Sequence, residues 1–307
     1  SDFSMAATPM GALPARFRRQ RLLIVGCGDV GLRVVKQLPR QIRVLALTSS
    51  AGRIEELRAQ GLTPLRGDLD KKSTLRRLAG LGHRVLHLAP PASEGWSDDR
   101  TWALLTALRL RAKPQALVYG STSGVYGDCQ GQYVTETRAL NPNTPRAQRR
   151  VFAETLVRHW GKSAGVATRL LRIPGIYAAD REGGTPRERL IKGTPVLERQ
   201  DDVYTNHIHA DDLARICIRA LWRGGPGRAF NANDDTELLM GDYFDLAADV
   251  YGLPRPQRLP RSSAQQKLSI MLLSFMSESR RLDNTRMKRE LGVRLHYSTV
   301  HGGLTSA

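Results

Sequence analysis

Two short stretches of this 307-residue chain hold residue types whose spacing can do chemistry. In Gly26-Cys27-Gly28-Asp29-Val30-Gly31 the glycines recur at G-x-G-x-x-G spacing. Gly26 permits a tight turn, the bare Cα of Gly28 lets backbone approach a pyrophosphate, and Gly31 lets a helix lie close on a strand. The opening N–H groups of that helix, from Asp29 and Val30 onward, lack intrahelical acceptors and sit at the positive end of the helix dipole, which suits an anion. In the second stretch, Asn141 to Glu154, Arg146 and Arg150 follow Pro145 and stand one helical turn apart on one face. A guanidinium keeps its proton at any working pH, so the pair offers charge and donors rather than a proton relay. Arg150 either holds a ligand or pairs with Glu154 at i,i+4. Arg146 either faces a pocket or is a solvated first-turn cation.

The glycines can do this only between a strand and a helix. Leu22 to Val25 is a short apolar strand, and an amphipathic helix runs on to Leu38. Further strand segments at 42–47, 62–68, 84–89, 115–120 and 166–173 alternate with helical ones at "GRIEELRAQG", "KKSTLRRLAG", 96–112 and 146–160. The alternation predicts an α/β fold, a doubly wound parallel sheet (Rossmann) with a smaller C-terminal substrate lobe. The divisions expected are a loose arm over 1–20, with Met5 as the native start, a dinucleotide-binding domain over 21–175, and a lobe over 176–307. A segment at 205–232 is expected to rejoin the first domain. Helices at 263–276 and "NTRMKRELG" are expected in the tail.

The ends of those strands complete the first constellation. An NAD-selective site usually carries an acid after the second strand; here Leu47-Thr48-Ser49-Ser50 stands there, followed by Arg53. This favours NADP, with NAD also allowed, held through Ser49 and Arg53. Asp68 and Leu69, after the third strand, lie where an adenine edge would come, although Asp68 could equally cap the next helix. Ala89-Pro90-Pro91, ending the fourth strand, would run past the nicotinamide half.

From Gly120, the stretch "GSTSGVYGDCQGQYVTETRALNPNTPRAQRRVFAETL", with "RIPGIYA" (172–178) and "HIHADDLA" (207–214), resembles the extended short-chain dehydrogenase/reductases. These are the NAD(P)-dependent epimerase/dehydratase family acting on nucleotide sugars. The family has a Ser or Thr four residues before the Tyr of "VYG", here Thr122 before Tyr126. It then has Pro-Tyr-x-x-x-Lys and a Glu four residues further on. With Pro145 and Glu154 aligned, Arg146 falls at the tyrosine and Arg150 at the lysine. The resemblance thus implies an epimerase/dehydratase-like oxidoreductase with an atypical active site. In it Thr122 would bond the reacting oxygen, Arg150 would hold a ribose hydroxyl or phosphate, and Arg146 would face the substrate. The alternative is an NAD(P)-binding sensor that turns over weakly or not at all. Tyr126, Tyr133 and Tyr177 border the pocket in such a fold. Tyr177, at the entry to the lobe, is the preferred substitute proton donor, and Tyr126 is expected to pack under its loop.

The remaining features exclude more than they assign. His207 and His209 share one strand face but have no third ligand partner, so no metal is expected, and Asp211 is expected to cap the helix over 210–222. Cys27, Cys129 and Cys217 form no C-x-x-C, which suits a reducing cytoplasm. The formal charge is +18, but only eight of the 47 cationic residues are lysine and the arginines are scattered, so nucleic acid is not expected. No apolar run spans a bilayer, the longest candidate being 268–276. The expected partner is an anionic small-molecule substrate, nucleotide-linked in the family; a homodimer is allowed.

Overall fold

The computed structural model describes residues 19–305. The arm expected over 1–20 and the start at Met5 therefore lie outside the described residues, save for Arg19 and Gln20. Seven strands build one sheet: β1 (Arg21–Val25), β2 (Arg43–Thr48), β3 (Thr63–Arg66), β4 (Arg84–His87), β5 (Ala116–Thr122), β6 (Ala167–Ile173) and β7 (Arg228–Asn231). The order is β7-β6-β5-β4-β1-β2-β3, with every neighbouring pair parallel. The helices are α1 (Asp29–Gln37), α2 (Ile54–Ala59), α3 (Asp99–Leu108), α4 (Pro145–Ala164), α5 (Arg187–Ile191) and α6 (Ala210–Trp222), then α7 (Met240–Tyr251), α8 (Arg261–Lys267), α9 (Ile270–Phe275), α10 (Thr285–Leu291) and α11 (Val300–Thr305).

Both faces of the sheet are covered, which is why its strands read as continuous apolar runs. Side chains alternate between the faces. Leu22, Ile24, Ala46, Leu86, Val118 and Leu171 pack against α1 and α6 through Val34, Leu213, Ile216 and Leu221. Leu23, Val25, Leu45, Val85, Leu117 and Leu170 pack against α3 and α4 through Leu104, Leu108, Val157 and Trp160. A separate core gathers Leu190, Val196, Leu197, Tyr243, Phe244, Ala247, Val300 and Leu304. The segment after 205 first lays His207–His209 parallel to Gly175–Tyr177, then packs α6 along α1, and finally adds β7 beside β6.

Several element boundaries differ from the sequence expectation. The helix expected over 96–112 is confined to α3, because the Asp98 carboxylate accepts from the Thr101 N–H and so starts it there. "KKSTLRRLAG" forms a 3-10 helix over Lys72–Leu78. The helix expected over 263–276 is two helices: Leu268 is extended and Ser269 opens α9 by accepting from the Leu272 N–H. α4 starts on Thr144, whose hydroxyl accepts from the Ala147 N–H, and stops at left-handed Gly165.

Candidate active site

The glycine loop lies at the C-terminal end of β1, where the strand order reverses between β1 and β4. That reversal point is where α/β sheets open a ligand crevice. Each glycine has a distinct steric reason. Gly26 has φ +82°, and a Cβ there would lie 2.4 Å from the Ala89 nitrogen, so the loop packs directly on the residue ending β4. A Cβ on Gly31 would lie 2.9 Å from the Cys27 Sγ and 3.4 Å from Ile24, which fixes α1 close to β1. A Cβ on Gly28 would meet nothing within 4 Å, so that face of the loop opens into space. Gly28 precedes α1 without any side-chain cap, leaving first-turn N–H groups for an anion. This cradle fits a dinucleotide pyrophosphate.

Asp29, at the start of α1, would repel that anion if uncompensated. Its carboxylate accepts from Arg33 Nε and Arg181 Nη1, both at 2.9 Å, so Asp29 contributes its backbone while two guanidinia neutralise its side chain. Val30 turns its side chain to the core. Beyond β2, Ser49 is exposed, and Arg53 Nη1 donates to the Cys27 carbonyl at 2.7 Å, setting a cation against the glycine loop. Asp68 does not cap the following 3-10 helix; its carboxylate accepts from the Asp70 N–H. Leu69 packs on the core beneath. Pro90 offers its carbonyl to Arg100, which forms a two-pronged pair with Asp70.

Across the crevice, Thr122 ends β5 and its hydroxyl accepts from the Gly124 N–H. Arg150 forms no ion pair with Glu154 among the described residues. Its Nη1 donates to the Tyr119 hydroxyl (3.1 Å) and the Gly120 carbonyl (2.9 Å), at the end of β5. Glu154 is fully buried and belongs to another network: Arg172 donates to both its oxygens at 2.7 and 3.2 Å, and Ser121 Oγ donates to it at 2.6 Å. Tyr126 completes that network by donating to Asn231 Oδ1 and accepting from Arg172, and burial pushes its phenol up to about 12. It is a packed structural tyrosine, as expected. Tyr133 is exposed and donates to Glu237.

Arg146 is exposed, its guanidinium 5.1 Å above the Phe275 ring. It shares a cavity of about 470 Å³ with Thr122, Ser123, Tyr177, Arg189, His207 and Tyr243. Tyr177 reaches this cavity, but its hydroxyl turns away, donating to the Thr299 carbonyl at 3.4 Å. A Cβ on Gly303 would lie 1.9 Å from that oxygen, so α11 seals it. Burial, first, and the nearby Asp234 raise its pKa, so it is not the ready proton donor expected. The helix at 210 is capped by the His209 ring, which accepts from the Asp211 N–H, and not by Asp211, whose carboxylate binds Arg33. His207 bonds Thr205 and stays neutral in its burial, held down to about 4. No group of three His, Cys, Asp or Glu among the described residues could hold a metal. Arg189, Arg280 and Glu278 in the cavity wall were missed in the sequence, which marks them only by charge.

Sheet order, glycine cradle and crevice together define a dinucleotide-binding α/β fold. The model of the NAD dependent epimerase/dehydratase family matches residues 22–232, and the chain belongs to that family. It is an NAD(P)-dependent enzyme related to those that epimerise or dehydrate nucleotide sugars. It is 26% identical over 244 residues to the dTDP-glucose 4,6-dehydratase of Mycobacterium tuberculosis, covering 71% of this chain and 73% of that one. Over 289 residues it is 26% identical to the Mycolicibacterium smegmatis enzyme of the same name, covering 81% and 87%. A functionally unknown conserved protein from Silicibacter pomeroyi superposes with a TM-score of 0.78 at 30% identity, covering 93% of this chain and 96% of that one. The UDP-glucose 4-epimerase of Thermotoga maritima, solved with UDP-glucose, shares the fold with a TM-score of 0.76 at 19% identity and the same coverage. No helix of the described residues is long and apolar enough to cross a membrane.

Proposed function

We propose that the chain is an NADP-preferring member of the family that acts on an anionic, nucleotide-linked substrate without a tyrosine–lysine proton relay on α4. The observation that carries this reading is the cavity itself, where Thr122 and the exposed Arg146 share one space with the lobe. A bound nicotinamide dinucleotide supplies hydride transfer. The protein's own residues bind and orient. The Gly28 face and the first turn of α1 receive the pyrophosphate, and Arg53 stands ready for a 2′-phosphate beside the loop. Arg150 is anchored by Tyr119 and Gly120, which leaves its remaining N–H groups for a ribose hydroxyl. Thr122 donates to the reacting oxygen, and Arg146 supplies positive charge without exchanging a proton. The substrate relation is supported by the relatives named for dTDP-glucose and by the neighbour solved with UDP-glucose.

The test is a pair of calorimetric titrations. NADPH should bind more tightly than NADH, and Arg53→Ala should remove the difference while leaving NADH affinity nearly unchanged. Equal affinities in the wild type would sink the NADP preference.

A further inference from the structure

The buried arginines of this chain find acceptors for their guanidinium, whether carboxylates or, as for Arg169, the backbone carbonyls of Ala220 and Gly224. Arg33 meets three carboxylates, Arg172 pairs with Glu154, and Arg258 reaches Asp202, Asp242 and Asp245. Arg189 on α5 is different. It lines the cavity, its guanidinium lies 4.4 Å above the Phe244 ring, and no carboxylate stands within ion-pair distance among the described residues. Its Nε and Nη2 are buried and have no hydrogen-bond partner. A guanidinium cannot shed its proton to relieve this burial. Desolvating a cation without an anion beside it is costly. Nor does the rest of the cavity compensate. Its one carboxylate, Glu278, is bonded to Arg280 at 2.9 Å, which leaves Arg146 and Arg189 as cations of the lining without an ion-pair partner among the described residues. Tyr243 and Phe244, packed edge to face at 5.7 Å, join the buried lobe core next to Arg189.

We propose that Arg189 is an anion-binding residue of the substrate lobe, receiving a carboxylate or phosphate group of the molecule that fills the cavity. This deepens the anionic-substrate reading and rests on it. The cost borne by the free protein is recovered when an oxyanion enters, because the planar fork can donate two hydrogen bonds to it. Arginine suits that role better than lysine, since it stacks on Phe244 while its edge remains free to donate.

The test uses the full chain saturated with NADP, so that neither the glycine loop nor Arg53 competes for anions. UDP, UDP-glucose, UDP-glucuronate and inorganic pyrophosphate are titrated into wild type, Arg189→Met and Arg189→Lys. If Arg189 holds a diphosphate, Arg189→Met weakens UDP and both sugar nucleotides alike, by at least about tenfold. If it holds an acidic group on the sugar, only UDP-glucuronate loses that much. In either case Arg189→Lys should retain part of the affinity. The melting temperature of free Arg189→Met should equal or exceed that of wild type, because an uncompensated buried cation has been removed. Unchanged affinity for all four probes in folded Arg189→Met overturns the proposal. A wild type that binds pyrophosphate through Arg189 but no nucleotide at all would support the anion site and sink the nucleotide-linked reading of the substrate.

Discussion

Arg150 is held on its strand side by two acceptors, Tyr119 Oη and the Gly120 carbonyl, both reached by one nitrogen. A guanidinium has five N–H donors, so the others are available to a ligand. Arg150→Ala is expected to weaken cofactor binding by roughly 1.5–3 kcal/mol, the range for a hydrogen bond to a charged group. Isothermal titration would read this as a rise in Kd of one to two orders of magnitude. An unchanged Kd would mean that Arg150 serves only to bridge α4 and β5. Spacing alone offered Glu154 as its partner, but Glu154 lies in the buried stripe of α4 with Ala147, Ala153, Val157 and Trp160. A carboxylate on that stripe must find a buried cation, and Arg172 on β6 is there.

Two joints between elements govern the crevice. At the β1–α1 joint, Gly28→Val should fold normally, since the added Cβ meets no protein atom within 4 Å, and should abolish cofactor binding by filling the pyrophosphate space. Circular dichroism and a cofactor titration check the two halves; retained binding would reduce the loop to a turn. The second joint is Arg33, buried at the centre of Asp29, Asp180 and Asp211, so that one side chain ties α1 to the lobe-entry loop and to α6. Arg33→Met should cost about 1–3 kcal/mol by urea melts, because it removes charged hydrogen bonds to three carboxylates, but these are 35–77% exposed and solvent takes over part of its share. Asp180→Asn should cost less than about 1 kcal/mol, because Asp180 is 77% exposed and solvent screens its share of the pair.

Across the whole molecule, buried titratable groups set an acid limit. Burial, with help from Arg150, holds His87 down to about 3, and burial holds His207 down to about 4. Unfolded histidine titrates near ~6.5, so both contribute stability above that pH and lose it as pH falls towards the folded values. Asp234 works in the opposite direction. Burial raises it to about 7, so its contribution is present below ~4 and is lost as pH rises towards neutrality. Two histidines outweigh one carboxyl, so the melting temperature should fall from pH 7 to 4.5. His207→Gln should flatten the slope and Asp234→Asn should steepen it; a flat wild-type profile would contradict neutral buried histidines. The sequence by itself determined the parallel sheet, the glycine cradle and the absence of an acid after β2. Each is written in contiguous residues, as a period, a spacing or a strand end, and local sterics translate these directly. Only the tertiary structure decided where the side chains went: Glu154 to Arg172, the Tyr177 hydroxyl to Thr299, and Arg189 to an aromatic wall without a counter-charge. Those outcomes depend on which distant segments pack together, because a buried polar group takes the partner that packing brings within about 3 Å, whatever stands one turn away in sequence.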